Sequence, residues 1–325
     1  MPRLPWFGLP AGPGDFSLLW ANSPIGVKTC RGLLVNRDGG RADSLRSMST
    51  PEFWRAVEAV HAPVYFSADT AERFTAIGLK GFWMGYVASR SAALGTPGPE
   101  LVTATFHGFA PTRIFRALPD AWALASRDDI LAARLDGARH ALAPLVDAAD
   151  LPALTTHLTE IVRRADFSGL PLAAAHAGLP TPDDDLGRLW HLATILREFH
   201  GDAHVAVLTA SGINGASANA LAVATGLVPP GQQQLRGWDD EAWDDAYEQL
   251  HMRGWVDEFR TITEAGRGAR ARIEETTHRV ANAGIGDREA TARTIGAIPA
   301  LVAIARAIES SDTVPYPNPT GVPQP

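Results

Sequence analysis

The stretch LWHLATILREFHGDAH (189–204) concentrates reactive side chains: His191, Arg197, Glu198, His200, Asp202 and His204 within sixteen residues. Imidazoles move protons near neutral pH and bind transition metals, while a guanidinium grips carboxylates and phosphates. His200 and His204 have the H-x3-H spacing that sets two imidazoles on one helix face for zinc or iron. Gly201-Asp202 reads as a helix C-cap followed by the N-cap of a new helix, which would break the chain between the two histidines. The motif also lacks the glutamate of a metalloprotease helix. No metal site is therefore expected, and His200 and His204 are only weak ligand candidates. His191, nine residues before His200, is half a turn out of phase with it and faces another way.

Other polar groups sit on apolar helices. His61 and Tyr65 are four residues apart, and His107 follows Phe106. In LKGFWMGYVASR, Leu79, Phe82, Trp83, Tyr86, Val87 and Arg90 recur at helical spacing, so an aromatic stripe ends in an arginine that needs a partner. Polar tips on apolar helices line ligand cavities, although each alone could equally close a core hydrogen bond. The expectation is a pocket between two helical blocks, near His61, Arg90, His191, Arg197 and His200, holding an unidentified small molecule. No G-x-S-x-G, P-loop, Rossmann glycine pattern or CxxC is present, so the pattern specifies neither a reaction nor a cofactor.

The elements that must position these groups are mostly helical. The 325 residues are 46% hydrophobic with a net charge of −7, which argues against a general nucleic-acid binder. A single cysteine, Cys30, excludes an internal disulfide and fits a cytoplasmic protein. No apolar run is long enough to span a membrane. Residues 1–47, with five prolines and seven glycines, read as a loosely ordered extension. A helical domain (48–167), a connecting segment (168–187), a winged-helix-like domain (188–283) and a C-terminal helix with a proline-rich tail (284–325) follow. Ser49 and Glu52 form a capping box with Pro51 in the first turn, and Phe53, Val57, Val60 and Val64 mark an apolar face. Asp150 is expected to precede another helix. Leu131, Leu135, Ala138, Leu142 and Leu145 are expected inward on one long helix. Leu189, Leu192, Ala193, Leu196 and Phe199 are expected inward on another.

RGWDDEAWDDAYEQLHMRGWVDEF (236–259) raises a separate question. HVAVLTASG, ANALAVATG, this segment, a short WVDEFRTIT wing and TEAGR at the start of a long helix together resemble the winged-helix core of MarR-type regulators. The resemblance implies a mainly α fold, a helical bundle with a degenerate winged helix, and a homodimer through terminal helices. More widely, VHAPVYF, GFWMGYVASR, FHGFAP, RALPDAWALA, LWHLATILREFHGDAHVAVL and RGW are similar to a group of actinobacterial helix-turn-helix proteins, which implies a fold but no reaction.

The charge on the recognition-helix equivalent has the wrong sign for DNA. Six carboxylates and no Lys or Arg lie between Asp239 and Glu248. Phosphates repel them, and no counterion release compensates. DNA is not expected to bind through residues 239–250, whose Trp243, Ala246, Tyr247 and Leu250 should face the core. Two alternatives stay open. One is a MarR-like regulator that binds DNA through another surface, such as Arg267, Arg270, Arg272 and Arg279. The other is an interaction module that presents the acidic helix to a basic partner.

Overall fold

Side-chain caps and prolines mark where the helices begin. Ser126, Asp184, Asn214, Asp239 and Thr263 each accept from a backbone N–H three residues on. Pro99, Pro111 and Pro171 open helices where a missing N–H costs nothing. The computed structural model describes residues 51–147, 151–286, 288–315, 318 and 320, all within one compact unit. The expectations for residues 1–47, Ser49 and Asp150 lie outside the described residues.

In order the helices are α1 (51–61), α2 (Pro63–Phe66), α3 (Ala68–Ala76), α4 (Gly81–Ser91), α5 (Pro99–Thr105), α6 (Pro111–Phe115), α7 (Asp120–Leu124) and α8 (Arg127–Leu142). They continue with α9 (Leu151–Arg164), α10 (Pro171–Ala177), α11 (Asp185–Ala210), α12 (Gly215–Ala224), α13 (Gln232–Arg236), α14 (Asp240–Met252), α15 (Glu264–Gly284) and α16 (Arg288–Ser310). α11 is the axis of the molecule, packed by α8, α9, α10 and α15, while α12 packs on α14.

The larger apolar core joins α1 to α11 and α16, and Phe53, Val57, Val60 and Val64 are buried in it as their spacing predicts. The inward residues expected on α11 are buried too. A smaller core gathers the C-terminal turns of α11 with α12, α14 and α15, and takes Trp243, Ala246, Tyr247 and Leu250 from α14. The short two-stranded wing expected at 255–263 is instead a turn. Among the described residues its only bridge is Val256 with Ile262, antiparallel. Asp257 Oδ1 accepts from the amides of Phe259 and Thr261, and Arg260 sits at φ 62, so the loop curls on itself instead of extending a ladder.

Three expectations are corrected. α11 does not break at Gly201-Asp202; it is one helix of 26 residues. Gly201 lacks the positive φ of a capping glycine, and packing on several sides outweighs the roughly 1 kcal/mol that a mid-helix glycine costs. Asp202 does cap, but on another helix: its Oδ2 accepts from Leu172 N and Ala173 N at the start of α10, at 2.8 and 3.0 Å. Leu131 and Leu135 on α8 are only half-buried, Leu145 lies in the turn beyond the end of α8, and Arg134 takes the inner face. The aromatic stripe of α4 begins in solvent, with Phe82 43% exposed.

Candidate functional site

Glu198, on α11, is 0% exposed and anchors the site. Arg90, at the end of α4, meets it as a two-pronged fork, Nε to Oε1 at 2.8 Å and Nη2 to Oε2 at 2.7 Å. Arg197 Nη1 adds a third bond at 2.9 Å, and its Nε reaches Glu58 of α1 at 3.0 Å. Arg90 also lies 4.3 Å from the centre of the Phe106 ring. Burial works against the charge on Glu198 more than any other single influence, but Arg197 and Arg90 together hold the carboxyl well below its usual range. Arg90 therefore has the partner its position demands, supplied 108 residues away.

Beside this cluster runs a directed hydrogen-bond chain. Thr194 Oγ1 gives its proton to Trp190 O at 2.8 Å, so it accepts from His61 Nδ1 at 3.0 Å. His61 Nε2 then carries a lone pair and accepts from the Tyr65 hydroxyl at 2.9 Å, which in turn accepts from Arg134 Nη2 at 3.0 Å. Arg134 Nη1 donates to Ser89 Oγ at 2.9 Å. Burial, then Arg134, push the His61 pKa well below its ordinary value and keep the ring neutral. The chain orients α1, α2, α4, α8 and α11 relative to one another.

Two cavities that share wall residues open beside Arg197. One, of about 750 Å³, includes Trp54, Glu58, His200, Glu274 and His278 in its wall. The other, of about 260 Å³, runs past Arg90, His107, Asn219 and Arg236. Arg197, His204 and Arg270 line both. Gly215 lets the loop carrying His107 close over α12, because a Cβ there would meet the His107 carbonyl oxygen at 2.0 Å. Asn219 Nδ2 ties down the same loop through Gly108 O at 2.7 Å.

The histidines of this cavity are neutral acceptors. His204 Nδ1 donates to Thr277 Oγ1 at 3.0 Å, since Thr277 spends its own proton on Ile273 O, and this leaves Nε2 with a lone pair. His200 packs between Trp54 and His278, with ring centres 5.1 and 5.2 Å away, and its Nε2 has no hydrogen-bond partner. Burial is the main reason that the pKa of His200 falls to about 3 and that of His204 to about 4. Continuity of α11 restores the i, i+4 relation of these two rings, and Glu274 and His278 repeat it on α15. Even so, no three His, Cys, Asp or Glu side chains among the described residues converge to hold a metal ion.

The cationic side of the cavity is stronger. Five arginines line it (Arg55, Arg90, Arg197, Arg236 and Arg270), against Glu58, Glu274 and, behind the wall, Glu198. Arg236 is buried in contact with the Phe109 ring, 4.3 Å from its centre, and its Nη2 donates to the Thr320 carbonyl at 3.1 Å. The Gln232 amide oxygen accepts from its Nε at 2.8 Å and the Tyr86 hydroxyl is a further neutral partner; none of these is a carboxylate, and burial lowers its pKa to about 10.

The expected site residues therefore divide. Arg90, Arg197, Glu198, Tyr86, His107, His200 and His204 gather around these two cavities, and His61 and Tyr65 back them through the hydrogen-bond chain. Asp202 serves as the cap of α10, and burial raises its pKa to about 6. Trp83 lies under Arg113 at the edge of a separate groove. His191 lies with His176 in a third cavity. Residue patterning overlooked Glu58, Arg134, Arg236, Glu274 and His278, and it placed Arg270 on a DNA-facing surface instead of in a cavity wall. Arg134 alone had a signal, lying four residues from both Ile130 and Ala138 on the apolar stripe of α8.

A family model described as a helix-turn-helix family matches residues 50–315. No curated protein and no solved structure matches the chain.

Proposed function

Because this chain belongs to the helix-turn-helix family, we propose that it keeps the family's helical frame but binds a small anionic molecule in its arginine-lined cavity, not DNA through residues 239–250. One observation carries this: Arg236, buried beside Arg90 and Arg197, faces a cavity of ligand size with only neutral partners, the Thr320 carbonyl, the Tyr86 hydroxyl and the Gln232 amide oxygen, and no carboxylate to answer its charge. A buried guanidinium without an anion is costly, and an incoming carboxylate, sulfate or phosphate supplies the missing charge. His200 and His204 present acceptors or, once protonated, further donors. The six acidic side chains of residues 239–248 are all exposed, which supports the reading that this segment turns DNA away.

A thermal-shift screen of carboxylates, phosphates and sulfates tests the proposal. At least one should stabilise the protein by RT ln(1 + [L]/Kd), about 2.7 kcal/mol at a hundredfold excess over Kd. The shift should shrink in Arg236→Gln. A screen in which no anion stabilises the wild type removes the proposal.

Family membership favours a second reading, DNA binding through another surface. Arg267, Arg272 and Arg279 are exposed on α15 and could meet phosphates, whereas Arg270 is paired with Glu274. Affinity for genomic fragments that falls steeply with salt, and falls again in a triple Arg→Gln variant of those three, would support it. Absence of binding at low salt would remove it.

A further inference from the structure

We propose that the cavity between α8, α10 and α11 is a second binding site, built for the carboxylate of a small, compact, apolar acid. It shares no wall residue with the arginine-lined cavities and does not depend on their role.

The walls are of two kinds. Leu131, Leu135, Leu179, Pro180 and Pro182 make most of the surface apolar. Arg134, His176 and His191 supply the polar remainder. The volume is about 150 Å³, and an apolar cavity of that size takes a benzene-sized guest.

The polar groups are buried and incompletely satisfied. Arg134 is 1% exposed; its two terminal nitrogens are spent on Ser89 and Tyr65, while its Nε has no partner. His176 is 2% exposed, and its Nε2 has no partner either. Buried donors and acceptors in folded proteins are almost always satisfied, so two orphans around one cavity mark a place where something else completes the bonding. Arg134 also has neutral hydrogen-bond partners only, and its guanidinium lies over the Tyr65 and Trp190 rings. Nearby Glu198 is already shared by Arg90 and Arg197. The missing group is therefore an anion.

A carboxylate fits better than a phosphate. The unpartnered Nε–H and two imidazoles suit the two oxygens of a monoanion, whereas a doubly charged phosphate loses more hydration on entering walls that are mostly apolar. The apolar walls require a compact hydrocarbon body behind the charge.

The test is calorimetric titration of the full chain with benzoate, butanoate and isovalerate, each beside its neutral amide. At least one acid should bind with one-to-one stoichiometry, and at least tenfold more tightly than its amide. Arg134→Gln would disturb Tyr65 and Ser89 and could fail to fold. The deciding variants are therefore His176→Phe, which removes a polar wall group, and Leu135→Trp, which fills the space. Each should weaken the acid at least tenfold while Arg236→Gln leaves it unchanged. The proposal is overturned if no acid binds the wild type, if amides bind as well as acids, if both cavity variants bind normally, or if Arg236→Gln alone abolishes binding.

Discussion

Six carboxylates on α14 and its N-cap and the single carboxylate of Glu198 teach opposite lessons about charge. Asp239, Asp240, Glu241, Asp244, Asp245 and Glu248 stand in water, where the nearest ion pair, Asp244 with Arg260 at 2.6 Å, is itself exposed. Exposed pairs contribute about 0–1 kcal/mol, so these acids decide what approaches the surface and add little to stability. Glu198 is sealed behind two arginines whose side chains are only 11% and 12% exposed, so water screens this cluster far less than the surface acids. Removing one partner from such a cluster strands the others, so one buried acid outweighs six exposed ones.

The largest expected effect comes from breaking the buried member of the pair. Glu198→Gln should lower unfolding stability by about 3–5 kcal/mol, read from urea denaturation, because Arg90 and Arg197 lose their shared anion. A loss below about 1 kcal/mol would put the cluster on a par with the surface.

Acid should sharpen the contrast. His176, buried, and His200, half-buried against the Trp54 and His278 rings, have pKa values near 3, and His191 and His204 near 4. Below the ordinary value of about 6.5 the unfolded chain takes up protons that the folded chain refuses, so stability falls as pH falls from 6.5 toward 4. Each histidine contributes about 1.4 kcal/mol per pH unit in that window. Asp202, raised to about 6, works with the opposite sign between about 4 and 6 and offsets one of the four. Denaturation midpoints across this range should fall steeply with acid, and a flat profile would contradict the burial of these rings.

The smallest stability effect should come from the surface. Asp244→Asn with Asp245→Asn should change stability by no more than about 1 kcal/mol. Lys at the same two positions should raise low-salt affinity for duplex DNA, measured by fluorescence anisotropy, and steepen its salt dependence by roughly 0.9 per new phosphate contact. Wild-type-like DNA binding by the Lys variant would show that charge on α14 is not what keeps DNA away.

Local signals in the sequence carried the helical frame. The apolar faces of α1, α11 and α14 depend on neighbours within four residues, and they appear in the structure where spacing puts them. The site was legible as a list of residue types but not as an arrangement. Arg90 and Glu198 are 108 residues apart, and Arg197 and Glu58 are 139 apart, so no local pattern pairs them. Gly201-Asp202 misled because local propensity favours a cap there, while four packed helices hold α11 straight and Asp202 serves α10. Arg134 escaped notice because its long side chain ends among aromatic rings, and patterning treats an arginine as a surface residue.

Hydrogen exchange measured on one preparation, with the most stabilising anion from the screen and separately with a 20-base-pair duplex at low salt, tests the division between these regions most directly. The expected result is protection by the anion in 197–204, 232–236 and 270–278, with no protection of 240–252 by the duplex. Protection of 240–252 by DNA, with the cavity segments unchanged by any anion, would contradict it.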